Sequence, residues 1–334
     1  MPASSDRARV PKRPDLSVIV VTHNRTELAL ATLRSAMAAS GPIDVEWLVF
    51  DCASTEPTAQ RIAEAFPQAR LLRGENVGFA AASNRALAHA RGRFLLLLNP
   101  DVTIERGTLA EIVGHLELRP RLGAASVIQR SPAGALQWSI RRFPTPGRVL
   151  AEALGCSRVT ALQGLGEEQR DPVAYGREGT IDWAVGAFLM LRAEALAAVG
   201  GLDERFFMYS EETDLCLRLH RAGWEVAHLP MMTITHHTGG PGVPALAAQL
   251  SYAKLLFGRK HLGARHALAL RAALVLRHAL RALVFSPLAL SGARRWQGRA
   301  LCERSALAAV LRADVGALAE QRLQASSAAA GGRR

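Results

Sequence analysis

Residues 16–98 read as an α/β unit built on a Rossmann-like, doubly wound and mostly parallel sheet. Short β-branched or leucine runs recur at even spacing, helical segments separate them, and each run ends on a polar cluster. The first strand is Leu16-Ser17-Val18-Ile19-Val20-Val21-Thr22, and a helix over about 27–39 follows, closed by Gly41-Pro42. Glu46 to Asp51 is the second strand, and Pro57 suits the first position of the next helix, which carries Ile62, Ala65 and Phe66. Arg70 to Arg73 is a third, short strand, and an alanine-rich helix covers 79–90. Phe94-Leu95-Leu96-Leu97-Leu98 is unbroken in apolar character, which marks a strand buried on both faces. Leu109, Ile112, Val113 and Leu116 then predict a helix stopped by Pro120. Residues 130–180 read as a long, irregular excursion. Val185 to Leu191 is read as a strand, 193–199 as a helix ended by Gly200-Gly201, and 211–222 as a helix with an acidic first turn. Trp224–Leu229 and Met232–His236 are read as two strands.

The chain has 334 residues, of which 49% are hydrophobic and 21% charged, enough for a full core and too few charges for a disordered polyelectrolyte. Four cysteines without a CxxC pair fit a reducing compartment and exclude a disulfide framework or a structural zinc site. No uninterrupted apolar run reaches membrane-spanning length, and Met1 to Asp15 lacks the apolar core of a signal peptide. A cytoplasmic chain is the expectation. The net charge of +12 is uneven: residues 1–244 hold 26 basic and 26 acidic side chains, and residues 245–334 hold 15 and 3. That asymmetry predicts a neutral module over 16–244 and a basic helical extension over 245–325, with disordered ends at 1–15 and 326–334. Within the extension, Arg265, Arg271, Arg277 and Arg281 interrupt an otherwise apolar stretch over 264–285, which predicts an amphipathic helix lying in a surface or packed, sooner than a span. The basic charge fits an anionic membrane surface on the inner face of the cell membrane; a soluble cap with solvated arginines is the competing reading.

Parallel sheets of this kind bind ligands beyond the carboxyl ends of their strands. Those ends are Thr22-His23-Asn24, Asp51 to Ser54, Gly74-Glu75-Asn76 and Asn99-Pro100-Asp101, and all four are expected to face one crevice. Asp51 can accept from a nucleobase or a ribose hydroxyl, or simply cap a turn. Asp101 can hold a divalent cation against a diphosphate, although Asn-Pro-Asp is also strong turn chemistry. Glu212 lies three and four residues before Leu215 and Cys216, so it faces inward, where burial would raise its pKa and suit it to act as a general base. Asp214 lies four before Arg218, and an ion pair along the helix is its main expected role. His236 or His237 can join Asp101 on a metal, or be structural.

Seven segments, in order, together resemble glycosyltransferase family 2, whose fold is called GT-A, and are most similar to its bacterial rhamnosyltransferase-like branch. They are SVIVVTHNR at 17–25, DCAST at 51–55, ENVGFAAASNRA at 75–86, LLLNPDV at 96–102, WAVGAFLMLRAEAL at 183–196, the run from Gly200 to Trp224, and HHTGG at 236–240. The resemblance implies an inverting transfer from a nucleotide-diphospho-sugar to a hydroxyl of a glycan or polyprenyl-linked acceptor in cell-surface polysaccharide assembly. It implies a donor site of Thr22, His23, Asn24, Arg25, Asp51, Asn76, Gly78, Asn84 and Asn99, and an acceptor side of Trp183, Gly186 and Asp214. Asp101 with His236 or His237 would hold Mg²⁺ or Mn²⁺, and the catalytic pair would be Glu211 and Glu212, with Glu212 the base. Cys52, Glu56-Pro57, Ala86, Glu212 and Asn99 depart from the family's usual residues, and Asn99 leaves its metal motif one carboxylate. Two other readings stay open on the residues: a nucleotide-sugar-binding protein of weakened catalysis, and a basic nucleic-acid-binding protein. Against the second, the extension is poor in aromatics and carries no recognised nucleic-acid module.

Overall fold

The computed structural model describes residues 13–156, 159–237 and 243–313. Strands β1 (Leu16–Thr22), β2 (Val45–Cys52), β3 (Arg70–Gly74) and β4 (Phe94–Leu98) alternate with helices α1 (Thr26–Ala38), α2 (Thr58–Ala65) and α3 (Phe79–Leu87). These four strands are parallel in the order β3-β2-β1-β4. The sheet grows to nine strands with β5 (Val102–Arg106), β6 (Leu122–Arg130), β8 (Gly179–Thr180), β10 (Phe188–Arg192) and β11 (Glu225–His236), in the order β3-β2-β1-β4-β10-β6-β11-β5, with β8 on β11. β10 runs antiparallel to both neighbours, while β6 and β11 are parallel. A two-stranded sheet pairs β7 (Ile140–Arg141) with β9 (Trp183–Ala184).

The period of two along β1 and β4 divides the core. Val18, Val20, Leu96 and Leu98 pack with Leu30 and Leu33 of α1 and Ile112 and Leu116 of α4 (Leu109–Leu118). Ile19, Val21, Leu95 and Leu97 pack on the other face with α3 and with Leu215 and Leu219 of α8 (Glu211–Arg221). Helix α7 (Ala193–Val199) follows β10, and the 130–180 excursion holds α5 (Pro146–Ala153), a 3₁₀ turn over Thr160–Leu165 and α6 (Pro172–Tyr175).

Three expectations change. The strand expected over 185–191 starts at Phe188, because Val185 to Ala187 form the turn between β9 and β10. The two strands expected after α8 are one, β11; its register shifts between Leu229 and Thr233 absorb Pro230, which has no N–H to give the ladder. Arg13 to Asp15 are ordered, since Arg13 Nε donates to Arg91 O at 2.8 Å and Asp15 N to Asp44 O at 3.0 Å. The rest of the expected N-terminal disorder and the whole expected tail from Ser326 lie outside the described residues.

The described residues end in α9 (Pro244–His261), α10 (Gly263–Ala289) and α11 (Arg294–Arg312), which pack on one another, with α10 also on α5. His278 of α10 lies between Ser251 Oγ of α9 (3.0 Å) and Glu303 Oε2 of α11 (2.6 Å). No helix of the described residues is long and apolar enough to cross a membrane.

Candidate active site

The loops after β1 and β2 are knitted together. Asn24 and Arg25 both adopt left-handed backbone conformations, at φ 59° and 58°, as does Ala53 at 50°. Asn24 N donates to Ser54 Oγ at 2.7 Å, and the Ser54 hydroxyl donates to Asp51 Oδ1. Asn24 Oδ1 accepts from Thr55 N (2.8 Å) and Glu56 N (3.2 Å), and Cys52 O lies 2.7 Å from His23 Nδ1. Arg25 gives α1 no side-chain cap; Glu56 reaches across instead and accepts from Thr26 N (2.9 Å) and Thr26 Oγ1 (2.7 Å). Thr22 Oγ1 donates to Asn24 O at 3.1 Å.

The ends of β4 and β11 meet this pair. Arg25 Nη1 is 3.9 Å from Asp101 Oδ2, and His236 Nε2 is 3.4 Å from Asp101 Oδ1. Asp101 is 6% exposed and its Oδ1 is buried without a hydrogen bond. His237 turns away, with Nε2 2.8 Å from Thr103 Oγ1, so His236 is the imidazole that faces Asp101. Asn99 N donates to Ala187 O at 3.0 Å, fixing the 185–187 turn to the end of β4. A Cβ on Gly186 would lie 3.4 Å from Glu212 Cβ, so the turn and the start of α8 are in contact.

Tyr209 and Ser210 enter α8 in left-handed conformations, φ 70° and 64°, strain of the kind that collects at functional sites. Burial raises the Tyr209 hydroxyl, as do the charges of Glu211, Glu212 and Asp101, while Arg25 lowers it. Burial lifts the Glu211 carboxyl well above the usual carboxylate range, and the Glu212 charge adds to this. Burial also raises Glu212, opposed by backbone N–H groups of Glu212, Gly186 and Thr213 and by Arg141. Glu211 is buried at 6% exposure; Glu212 is half-buried, with its Oε2 enclosed and without a hydrogen bond.

Residues 17–165 match the family described as Glycosyl transferase family 2, and residues 172–300 match Glycosyl transferase family group 2. The chain is 31% identical, over 80% of its own length and 94% of the relative's, to the N-acetylglucosaminyl-diphospho-decaprenol L-rhamnosyltransferase of Mycobacterium tuberculosis. The chain belongs to glycosyltransferase family 2. It is also 25% identical to the rhamnosyltransferase WbbL of Escherichia coli, over 53% of this chain and 67% of that one. In fold it is similar to the mannosyltransferase PcManGT of Pyrobaculum calidifontis, solved with GDP-Man and Mn²⁺, at TM-score 0.55 and 19% identity, covering 90% of this chain and 87% of that one. The GT-A arrangement expected from the sequence is the arrangement found.

Several residues of this glycosyltransferase sit elsewhere than expected. Asp214 is fully buried, and Arg218 Nε (2.8 Å), Lys260 Nζ (2.5 Å) and His261 Nε2 (2.6 Å) occupy its oxygens. The expected pair with Arg218 forms, but no atom of Asp214 is left for an acceptor. Asn84 clips α3 to the loop after α7, accepting from Leu202 N (3.1 Å) and donating to Leu202 O (2.8 Å) and Glu204 Oε1 (2.9 Å). It lines a cavity of about 980 Å³ with Phe94, at the opposite end of β4 from the crevice. Its place in a donor pocket is therefore corrected to a structural one. Trp183 is 8% exposed, packed with Leu189 and Leu215, and donates its indole N–H to Arg142 O at 3.0 Å, which leaves an acceptor little of its ring. Asn76 Oδ1 accepts from Gly78 N at 3.3 Å. Gly78 has φ 87°, and a Cβ there would come within 2.2 Å of Phe207 O, so the close approach of two loops requires glycine. Sequence reasoning missed Tyr209 and the capping role of Glu56; Ser54 it placed at the crevice without its link from Asn24 to Asp51. Nothing local marks the left-handed turn at Tyr209.

Proposed function

We propose that the enzyme transfers a sugar, with inversion, from a nucleoside-diphospho-sugar to a hydroxyl of a lipid-linked glycan, rhamnose being the sugar carried in its relatives' names. What carries the reading is the meeting of Arg25, Asp101 and His236 at the strand ends, with Asp51 joined to them through Ser54 and Asn24, and with Glu212 set against the 185–187 turn that is bonded to Asn99.

Asp51 accepts from the donor's base or ribose, and the loop of His23 to Arg25 closes over the nucleotide. Arg25 meets the diphosphate's negative charge. Asp101 and His236 suit a divalent cation: a buried carboxylate oxygen without a hydrogen bond faces an imidazole nitrogen, and Mg²⁺ or Mn²⁺ commonly takes few protein ligands and completes its shell with phosphate and water. When bound, such an ion neutralises charge on the departing nucleoside diphosphate. Among the described residues no group of three or more acidic, histidine or cysteine side chains could hold a metal, which fits a site finished by the donor's own phosphates.

Glu212 removes the acceptor hydroxyl's proton as the oxygen attacks the anomeric carbon from the face opposite the diphosphate. Its burial raises its proton affinity toward that of a useful base, and the Gly186 backbone N–H holds it in place. One displacement inverts the centre. A lipid-linked acceptor also calls for work at the inner face of the membrane, with the basic helices α9 to α11 as the docking unit.

The test is transfer from a panel of nucleoside-diphospho-sugars, with Mg²⁺ or Mn²⁺, to polyprenyl-diphospho-N-acetylglucosamine. The expected result is a single disaccharide lipid of inverted anomeric configuration, made from the rhamnose donor. Retention of configuration, or donor binding without transfer or hydrolysis across the panel, would overturn the proposal.

A further inference from the structure

Helix α10 buries Leu270, Ala273 and Leu274 in the bundle, yet it also leaves a second line of leucines outside. A surface helix in water normally turns charged and polar side chains to that outer face. Here Arg277 pairs with Glu152 of α5 at 3.0 Å and Arg281 with Glu303 of α11 at 3.4 Å, so two guanidiniums of α10 point into the bundle, while Arg271 donates to Leu311 O at 2.8 Å at its exposed edge. The outward face carries Leu268, Leu276, Leu283 and Leu290, exposed by 69%, 41%, 71% and 88%. At 3.6 residues per turn, their spacing keeps them within about 80° of one another over a length of about 33 Å. Ala272 and Pro287 are exposed as well. A ridge of this length is more than the scattered apolar residues normal on a protein surface.

The ends of the ridge are basic. Arg265 is exposed before Leu268, and Arg294, Arg295 and Arg299 are exposed after Leu290. Leu268 also lines a cavity of about 620 Å³ whose wall holds Arg259, Arg271 and Arg312. The single carboxylate among residues 245–313, Glu303, is turned inward to His278 and Arg281. A second copy laid along this ridge would set arginine against arginine, at a cost of like-charge repulsion. Hydrocarbon for the leucines and phosphate for the arginines are found together in one partner, the surface of an anionic bilayer.

We propose that the leucine face of α10 is the membrane-docking surface of this enzyme: it lies in the plane of an anionic leaflet, with the flanking arginines on lipid phosphates. This rests on the membrane-side reading of the function and adds to it which face is buried. The arginines within the helix, which look in sequence like the headgroup contacts, instead hold the bundle together.

The experiment is flotation of the full chain with phosphatidylcholine vesicles, with and without phosphatidylglycerol, alongside size measurement in the absence of lipid. The wild type is expected to float only with the anionic vesicles. The double variant Leu276→Glu/Leu283→Glu and the single variant Leu290→Glu alter exposed side chains; the double variant is expected to lower partitioning roughly tenfold or more, because it removes two buried leucines from the contact. The control Leu118→Glu/Val173→Glu makes the same change of charge at exposed positions (84% and 53%) of the sheet domain and is expected to float as wild type does. Flotation of the ridge variants at wild-type levels, or an equal loss in ridge and control variants, would overturn the proposed face while leaving membrane association standing. Failure of the wild type to float would remove both. A lipid-free dimer dissociated by Leu276→Glu/Leu283→Glu would assign the ridge to a second copy of the chain and overturn the proposal.

Discussion

Glu211 and Glu212 stand side by side at the start of α8, and their surroundings give them different work. Glu211 is shut into the core, its Oε2 without a hydrogen bond, and its proton affinity is raised by burial first and by its neighbour second. Its folded pKa lies above its unfolded value near 4.5, so the folded chain holds a proton the unfolded chain has released. The group's contribution is therefore fully present below pH about 4.5 and is lost as pH rises toward the folded pKa. Glu211→Gln, which carries no charge to bury, is expected to raise Tm by several degrees near neutral pH, with the difference vanishing on acidification; thermal scans across pH measure it, and equal Tm values at neutral pH would contradict it. The inward aim of Glu212 was legible in the sequence, since three- and four-residue spacing to Leu215 and Cys216 is local information. The fate of Asp214 was not. Two of its three partners, Lys260 and His261, lie more than forty residues on, and no helical periodicity points to them. Tyr209 escaped notice for a different reason, because a left-handed tyrosine has no signature in composition or spacing.

At the level of elements, α8 carries the carboxylates proposed for catalysis and is held from behind by α9. Burial would raise the Asp214 carboxyl, yet His261, Lys260 and Arg218 keep it below the usual range. Lys260 also reaches Asp203 Oδ2 at 2.7 Å, so one ammonium ties together α9, α8 and the loop that precedes α8. Lys260→Met leaves a buried carboxylate short of a partner and is expected to cost on the order of 2–3 kcal/mol, read as a lower denaturation midpoint. A midpoint within error of the wild type would show the tether to be idle. Strands β1, β2 and β4 were readable because their β-branched and leucine runs are buried on both faces. β5 and β6 were not. β5, Val-Thr-Ile-Glu-Arg, is a half-exposed edge strand, and β6 begins Leu-Gly-Ala-Ala-Ser, which has little strand propensity. Those small residues are needed, since a Cβ at Gly123 would lie 2.8 Å from Trp224 Cβ.

Across the whole molecule, the sheet domain and the helical extension are fastened at several points: Lys260 and His261 to Asp214, Lys254 to Glu167 at 2.5 Å, and Gln249 to Met208 O at 3.1 Å. Three of these contacts reach α8 or the loop before it, so the proposed membrane-docking unit is in direct contact with the element that bears Glu212. The change of charge at residue 245 was visible in composition, but which way the arginines faced was not, because Glu152 and Glu303 come from helices whose packing only the tertiary fold defines. The central claim is that one crevice holds the activated sugar while Glu212 acts on the acceptor. The most direct measurement compares Glu212→Gln with wild type, by calorimetry of donor binding in the presence of a divalent cation and by transfer under single-turnover conditions. The account predicts donor affinity within about twofold of wild type and a transfer rate lower by at least about a hundredfold. Transfer at the wild-type rate, or loss of donor binding to the same extent as loss of transfer, would contradict it.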